Sequence, residues 1–526
     1  MKCFLNGTVR TMHDARPLAE AVVTKGNRIV FVGPSADART FAGPQAEVID
    51  LEGCLMLPGF IDDHVHFVLG GSQVGGLNLR PCTTTRAFID TLAAYVRAHH
   101  GTWITGGDWD QEGWEVKRLP ARAWIDPVSP DTPVFINRLD WHMALANSTA
   151  LGLAGITRDT ADPPGGTIER DPATGEPTGI LKDAAMDLVT HVIPRATPGE
   201  LEHSVMQALD VARKNGVTSV HDISEEAHIP IYHKLEGAGK LTCRIYARLP
   251  IAGLSKLVRE RVRRAHGTEF VKVGSLKAFA DGSLGSNTAW FFEPYLNAPT
   301  TGLAMEVLTS GRLREWALEA DRHSLQLSVH AIGDRANDAI LAIFEELVRE
   351  NPAWDRRFRI EHAQHVRPAD IARFAALGVI VSAQPYHCID DGVWAEQRIG
   401  AHRARSTYAF KSFLDAGVCV CFGSDWTVAP LDPLLGIYAA VTRATLDGKK
   451  PGGWVPEQRV SVEQAVRCYT VNNAFAAFEE HLKGTIEPGK LADMVVVSEN
   501  IFAIPPAEIR NVRVVRTIVN GEVIYG

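Results

Sequence analysis

The sequence predicts an α/β protein: a (β/α)₈ TIM barrel, a small β-sandwich domain built from both chain termini, and an insert between barrel strands 1 and 2. Three observations predict this architecture. Short apolar strands alternate with amphipathic helical stretches through the middle of the chain, strands joined by turns occupy both ends, and one interval is far too long for a single crossover.

The two ends of the chain are predicted to be β-structure. Residues 1–58 and 481–526 consist of short apolar strands separated by turn residues. The pair Asn520-Gly521 is a strong hairpin signal, and Gly26-Asn27 marks a similar turn near the start. We therefore predict that the two end segments meet in one β-sandwich.

The middle of the chain, residues 59–480, is predicted to form the barrel. Eight apolar runs are candidate strands, and eight parallel strands close such a barrel. They are residues 57–67, 216–222, 244–249, 271–281, 325–331, 358–363, 378–384 and 418–425. Amphipathic runs such as "ELEHSVMQALDVARKNG" and "ANDAILAIFEELVREN" supply helices between them. A doubly wound sheet is the competing architecture, but no G-x-G-x-x-G follows an early strand.

Residues 72–198 separate the first two candidate strands and are rich in Trp, Gly and Pro. A segment of this length cannot be one crossover connection. We predict that it is an inserted subdomain that lies over the barrel mouth.

The composition excludes two classes of partner. Hydrophobic residues make up 45% of the 526 residues, charged residues 22%, and the formal net charge is -8. We expect no nucleic-acid partner, because no basic face is indicated, and no membrane partner, because no run approaches the ~18–20 apolar residues of a membrane span. We expect a cytoplasmic protein. A homodimer is compatible with the sequence, but no motif predicts the oligomeric state. The 8 cysteines show no C-x-x-C spacing, so neither a zinc ribbon nor a disulfide framework is indicated.

The stretch "PGFIDDHVHFVLGG" places His64 and His66 two residues apart on the first candidate strand. Residues i and i+2 of a strand point to the same side, so both imidazoles can approach one metal ion. The chain contains 19 histidines, and one such pair is therefore weak evidence by itself. Two buried histidines bonded to backbone carbonyls are the alternative.

Further potential ligands follow later candidate strands, at the end where barrel active sites are built. They are Lys277, His330, His362 and Asp425, near the ends of strands four, five, six and eight. Chance placement would have to recur on several strands, so the set favours a metal centre. For each member, a satisfied core histidine or a helix-capping aspartate is the alternative.

Several motifs resemble those of a known family. They are "PGFIDDHVHF", "GGDWDQEGW", "LDWHMALANSTALGLAGIT", "GGTIERDPATGEPTGILKDAAMDLV", "KAFADGSLGSNTAWF", "VHAIGDRANDAIL", "IEHAQ" and "GSDWTVAPLDPLLGI". Together they look like the amidohydrolase superfamily, and more narrowly its amidohydrolase-3 branch, similar to YtcJ-like proteins and N-substituted formamide deformylases. The resemblance extends through nearly the whole chain.

The resemblance implies the same barrel and sandwich, and a metal centre held by His64, His66, Lys277, His330, His362 and Asp425. It also implies that Lys277 is carboxylated and bridges two ions. An ammonium group has no lone pair, so Lys277 can act at the metals only if it is modified or deprotonated. If Lys277 is an ordinary lysine, a one-metal centre on the histidines and Asp425 is the alternative. Such ligands favour zinc, and manganese or iron would be tolerated.

The predicted function is that of an amidohydrolase, which hydrolyses C–N bonds other than peptide bonds, with a linear N-substituted amide or formamide as its small-molecule substrate. A divalent ion would activate water, and Asp425 would accept the proton of that water and deliver it to the leaving nitrogen. His142 and His387 are the further catalytic candidates, with structural packing as the alternative for each.

Candidate substrate-binding residues lie near these motifs, and for each of them core packing or a turn is the alternative. They are Trp109, Trp141, Asp281, Gly282 and Trp426. Asp62 or Asp63, beside the histidine pair, is a candidate to orient an imidazole.

Two other functions stay open on the sequence alone. A one-metal deaminase acting on an aromatic amidine-like ring would have no need of Lys277. A non-catalytic scaffold or regulator on the same fold would have no reason to keep six potential ligands in place. Substrate identity is not encoded in any motif.

Overall fold

The computed structural model describes residues 1–526, and its centre is a sheet of eight consecutive parallel strands. The strands, here called barrel strands 1 to 8, are Phe60–Val65, Val217–Ile223, Arg244–Pro250, Val271–Phe279, Gln326–Ala331, Arg359–His362, Ile380–Ala383 and Val420–Phe422. Each strand pairs in parallel with the next along the chain. The eight predicted strands and their order are therefore confirmed.

Helices connect the barrel strands and cover them. The main ones are Phe67–Gln73, Pro198–Lys214, His228–Gly237, Leu254–Arg259, Arg312–Arg322, Asp334–Glu350, Ile371–Leu377, Pro385–Asp391, Ala395–Ala404, Phe410–Asp415, Pro433–Thr442, Val462–Cys468 and Val471–Ala476. None of the helices is both long enough and apolar enough to cross a bilayer.

Backbone hydrogen bonds join barrel strands 1 and 8 and close the barrel. The N–H of Asp425 donates to the carbonyl of His64 at 2.7 Å, and the N–H of His66 donates to the carbonyl of Trp426 at 2.8 Å. The side-chain amide of Asn473 lies across this seam and donates to a backbone carbonyl of each strand. The seam thus brings two predicted ligand segments side by side.

Two smaller sheets occupy the chain ends. One contains Arg28–Gly33, Ala21–Lys25, Lys2–Leu5 and Glu47–Asp50; the other contains Glu522–Tyr525, Val514–Val519, Met494–Val497, Leu55–Pro58, Thr8–Arg10 and Leu18–Ala19. Side chains from both sheets, among them Phe4 and Met494, share one buried apolar cluster. The predicted Asn520-Gly521 turn joins the last two strands, with positive φ at both residues.

The first candidate strand, residues 57–67, is corrected by the structure. Leu55–Pro58 belongs to the six-stranded outer sheet, and barrel strand 1 begins only at Phe60. Gly59 lies between them, where a Cβ would come within 2.3 Å of the Thr218 hydroxyl oxygen. One apolar run therefore supplies strands to two different sheets.

The long interval after barrel strand 1 folds around its own sheet. Its strands are Gly166–Arg170, Pro177–Asp183, Met143–Ala146, Val134–Arg138 and Ile104–Trp109, and the helix Thr85–Ala98 packs against them. Residues 138–142, at the end of the strand Val134–Arg138 and just beyond it, line the same cavity as the barrel histidines. The interval therefore reaches the carboxyl ends of the barrel strands.

Candidate metal centre

Four imidazoles and a carboxylate converge at the carboxyl ends of barrel strands 1, 5, 6 and 8. The Nε2 atoms of His64 and His66 lie 3.5 and 3.4 Å from Oδ1 of Asp425. The ring of His362 lies 4.9 Å from that of His64 and 4.6 Å from that of His330, between centroids. The structure brings together all five of these predicted ligands.

The sixth predicted ligand, Lys277 on barrel strand 4, lines the same cavity, which has a volume of about 220 Å³. Burial lowers the pKa of Lys277 to about 8. The uncharged amine is therefore accessible near neutral pH, and it is the form that can ligate or become carboxylated.

The donor set fits a divalent cation. Two groups share Asp425, one with His64 and His66 and the other with His362 and His387, and within each group the ligand atoms lie within 4.8 Å of one another. Burial lowers the pKa of His64 to about 4 and that of His362 well below its usual range. Neutral imidazoles and one carboxylate are ligands that zinc favours and that manganese or iron also accept.

His387 follows barrel strand 7 and enters this group, although the sequence predicts it only as a catalytic candidate and not as a metal ligand. Its buried Nε2 has no hydrogen-bond partner. Burial lowers the pKa of His387, which favours the neutral ring. The atom is therefore free to accept a metal or to bond a bound substrate.

Glu361 orients His64 and was missed by the sequence analysis. Its Oε2 accepts from Nδ1 of His64 at 2.5 Å and from the Ser382 hydroxyl at 2.7 Å, and its Oε1 accepts from Arg248 at 2.5 Å. A carboxylate on Nδ1 fixes the ring and leaves Nε2 for the metal. The only sequence signal was a glutamate directly before His362 in "IEHAQ".

Neither Asp62 nor Asp63 orients a ligand ring, which corrects the expectation for this pair. Oδ1 of Asp62 accepts the backbone N–H groups of His64 at 3.1 Å and Ser424 at 2.9 Å, so it holds the seam. Asp63 instead bonds the buried His221 at 2.5 Å.

His142 stands in the cavity wall on the segment that follows barrel strand 1. Its Nδ1 bonds Oδ1 of Asp183 at 2.7 Å, and its ring lies 5.1 Å from that of His330. Burial lowers the pKa of His142, but the hydrogen bond and charge of Asp183 outweigh it and raise the pKa overall. An oriented imidazole that gains a proton readily therefore faces the ligands.

Of the predicted substrate-binding residues, only Trp141 lines the metal cavity. Trp109 is fully buried in the apolar cluster of the 72–198 segment, and its Nε1 donates to the Ile136 carbonyl at 2.9 Å. Trp426 packs on Gly70, where a Cβ would lie 2.5 Å from the indole. These two tryptophans are packing residues, which corrects the expectation of direct contact.

Asp281 and Gly282 contact the end of barrel strand 5 and the loop that follows it. Asp281 accepts the backbone N–H groups of Ile332 at 2.9 Å and Gly333 at 2.8 Å, directly after barrel strand 5. The carbonyl of Gly282 lies 3.1 Å from Nε2 of His330, and neither residue lines the cavity. They position His330 and its loop rather than contact substrate.

The family model described as the amidohydrolase family matches residues 47–525. The chain belongs to the amidohydrolase family. An amidohydrolase is an enzyme that hydrolyses C–N bonds, so the predicted enzyme class and the resemblance on which it rested are confirmed.

Curated relatives align along nearly the whole chain. It is 38% identical to the protein LONG AFTER FAR-RED 3 of Arabidopsis thaliana, over 99% of this chain and 91% of the relative. It is 30% identical to the putative amidohydrolase YtcJ of Bacillus subtilis, over 99% of this chain and 98% of the relative. It is 28% identical to the N-substituted formamide deformylase of Arthrobacter pascens, over 99% of this chain and 97% of the relative.

Among solved structures, the chain resembles that of an uncharacterized metal-dependent hydrolase from Pyrococcus horikoshii. The TM-score is 0.78 at 28% sequence identity, over 96% of this chain and 99% of the other. The barrel of this chain and its cluster of potential metal ligands agree with that likeness.

Proposed function

We propose that this amidohydrolase cleaves a linear N-substituted amide or formamide to a carboxylic acid and an amine. One observation carries the proposal: the five converging ligands and Lys277 surround a single cavity, and His142 and Trp141 form part of its wall. The likeness to the N-substituted formamide deformylase, which covers 97% of that relative, supports this substrate class.

We propose zinc as the metal, with two ions if Lys277 is carboxylated and one if it is not. His64, His66, His330, His362 and Asp425 would hold it. When bound, a divalent ion of this kind polarises a carbonyl group and lowers the pKa of water to about 7.

Asp425 would act as the base and then as the acid. Burial raises the pKa of Asp425, but the imidazoles of His64, His362 and His66 outweigh it and hold the pKa well below its usual range. The group is therefore a carboxylate at neutral pH. It would accept the proton of the attacking water and return it to the nitrogen as the C–N bond breaks.

His142 would stabilise the charge that develops on the substrate carbonyl oxygen. With Nδ1 bonded to Asp183, its Nε2 is the free ring atom, and the raised pKa favours a proton there. A hydrogen-bond donor held in a buried cavity wall stabilises such a charge more strongly than a donor in water does.

The test is a panel of N-formyl, N-acetyl and cyclic amides, with metal content measured on the same protein. We expect hydrolysis of linear amides, and a loss of about 10² to 10⁴ in kcat for Asp425→Asn. Lys277→Ala should lower both metal content and activity; if it leaves both intact, the one-metal deaminase is favoured instead. Purified protein without a tightly held divalent ion would contradict the metal mechanism.

We also propose that residues 1–58 and 481–526 form one β-sandwich domain and that residues 72–198 form an inserted subdomain. The apolar cluster shared by the two end sheets supports the first proposal, and the separate clusters of residues 72–198 support the second. Truncation after residue 510 should then expose Lys2–Leu5 to hydrogen exchange while the barrel strands stay protected. Unchanged protection of that strand would contradict the sandwich.

A further inference from the structure

A second and larger chamber adjoins the metal cavity. It has a volume of about 1080 Å³ and lies between the barrel and residues 72–198. Trp141, His142, Lys277 and Phe279 line both spaces. A molecule whose reacting group lies at the metal ligands can therefore extend past these four side chains into the chamber.

The two spaces differ in chemistry. Of the residues that line the chamber, 18 of 35 are hydrophobic, against 7 of 23 around the metal cavity. Glu306 and Arg312 at the chamber wall pair with each other at 2.9 Å and so offset each other's charge. The chamber therefore offers more apolar side chains to a substrate than the metal cavity, which is lined mainly by the predicted ligands and other polar residues.

The volumes of the two spaces also indicate that each holds a different part of a substrate. Ligand pockets commonly measure about 300–1,000 Å³. The metal cavity, at about 220 Å³, is below this range, whereas the chamber, at about 1080 Å³, exceeds it. The cavity accommodates a reacting amide and little more, so the remainder of an extended substrate has only the chamber to occupy.

Phe279 marks the junction between the two spaces. It follows Lys277 by two residues at the end of barrel strand 4, so both side chains point to the same side. The Lys277 Nζ lies 4.7 Å from the centre of the Phe279 ring, which remains 39% exposed in an otherwise buried strand end. An exposed aromatic ring beside a predicted ligand is placed to contact an apolar chain.

We propose that the substrate is an N-alkyl amide whose long, extended alkyl chain occupies this chamber, with Phe279 at its entrance. The inference rests on the proposed function, because a formamide carries no bulk on its acyl side and only its nitrogen substituent can fill the chamber. Water would supply oxygen to the carbonyl carbon and a proton to the nitrogen as the C–N bond breaks, which releases formate and the long-chain amine.

The first test compares N-methyl-, N-benzyl- and N-decylformamide below the micellar concentration of the last. Each buried methylene contributes about a fourfold gain in binding. We expect kcat/KM to increase in the order methyl, benzyl, decyl, and the nine additional methylenes of the decyl chain set an upper limit of about 10⁵-fold if all of them are buried. Equal values for the three substrates would overturn the inference.

The second test fills the chamber without touching the metal cavity. Thr105 is exposed on the strand Ile104–Trp109 and lines only the chamber. Thr105→Trp should remove most of the preference for the decyl substrate, measured as the ratio of kcat/KM for N-decylformamide to that for N-methylformamide. Thr157→Trp, an exposed threonine of the same segment outside both spaces, is the matched control. Loss of decyl preference in both variants, or in neither, would overturn the inference.

Binding to metal-free protein separates this inference from the proposed function. Calorimetry with N-decylformamide should detect binding to the wild-type protein and to Thr157→Trp, and much weaker binding to Thr105→Trp. If no formamide is hydrolysed, the proposed function fails and calorimetry alone decides about the chamber. If Thr105→Trp does not fold by circular dichroism, Val307→Trp replaces it, because Val307 lines the chamber from a different element, the helix Glu306–Thr309.

Discussion

His362 and Asp425 both adopt left-handed backbone conformations, with φ of 71° and 56°. Such conformations cost about 1–3 kcal/mol for a residue other than glycine and tend to occur at functional sites. At His362 the conformation breaks the alternation of barrel strand 6. As a result, both Glu361 and His362 come to lie against His64.

Glu361→Gln tests whether this glutamate positions His64. The amide cannot accept the Nδ1 proton as strongly, and we expect zinc affinity to fall by about 10–100-fold. A competition titration against a chromophoric chelator measures the change. Ser382→Ala is the control, because it removes one hydroxyl donor from the same carboxylate and leaves its charge. Unchanged affinity in folded Glu361→Gln would show that the carboxylate only balances Arg248.

The convergence of the predicted ligands could be foreseen from the sequence, whereas the groups around them could not. His64, His66, His330 and Asp425 each stand at the end of an apolar run, and a barrel gathers such ends at one face. Glu361 was not predictable, because regular alternation would have turned it away from His362. The sequence also does not distinguish a tryptophan buried in an apolar cluster, such as Trp109, from one in the cavity wall. The same large apolar side chain suits both places.

Among the structural elements, the seam between barrel strands 1 and 8 requires a close approach of two backbones. A Cβ at Gly423 would lie 2.5 Å from the backbone nitrogen of His64, so only glycine fits this position. The run "FGSD" therefore combines a strand end, a close contact and a ligand within four residues. The number of strands was predictable, but this close contact was not, because the two segments lie far apart in sequence.

The opposite end of the barrel is held by a buried ion cluster. Glu479, just beyond the helix Val471–Ala476, bonds Lys272 on barrel strand 4 and Lys483, both at 2.6 Å. Lys483 also donates to the Ser219 hydroxyl on barrel strand 2 at 2.6 Å. The cluster ties the chain segment that follows the barrel to two of its strands.

Glu479→Gln should destabilise the protein by about 3–5 kcal/mol at pH 7, because two buried ammonium groups lose their counter-charge. Burial raises the pKa of Glu479, but Lys483 and Lys272 outweigh it and lower the pKa to about 2, from 4.5. Since the folded-state pKa is the lower one, the stabilisation is present above pH 4.5 and is lost as the pH falls towards 2.

Urea unfolding of both proteins at several pH values between 7 and 3 measures this effect. The free energy of unfolding should fall less steeply below pH 4.5 in Glu479→Gln than in the wild type. Glu480→Gln is the control, because Glu480 pairs with Arg357 near the surface at 2.8 Å and should contribute only about 0–1 kcal/mol. Parallel pH dependences for Glu479→Gln and the wild type would show that the carboxylate carries no such linkage.

For the molecule as a whole, the predicted metal would join parts of the barrel that are distant in sequence. Barrel strand 1 supplies His64 and His66, barrel strands 5 and 6 supply His330 and His362, and Asp425 follows barrel strand 8 across the seam. Barrel strands 2 and 3 supply none of the predicted ligands. An ion bound only to the folded protein, at a concentration a thousand times its Kd, would add about 4 kcal/mol of stability.

Removal of the metal should therefore loosen the seam more than the rest of the sheet. We expect chelation to lower the melting temperature and to increase amide hydrogen exchange in residues 60–66 and 420–426. Val217–Ile223 and Arg244–Pro250 are the internal control, because neither strand carries a predicted ligand and neither forms part of the seam; they pair with barrel strands 1 and 4. Reloading with zinc should reverse both effects. A uniform increase across all eight strands would mean that the ion stabilises the fold without bracing the seam, since exchange would then report only global unfolding.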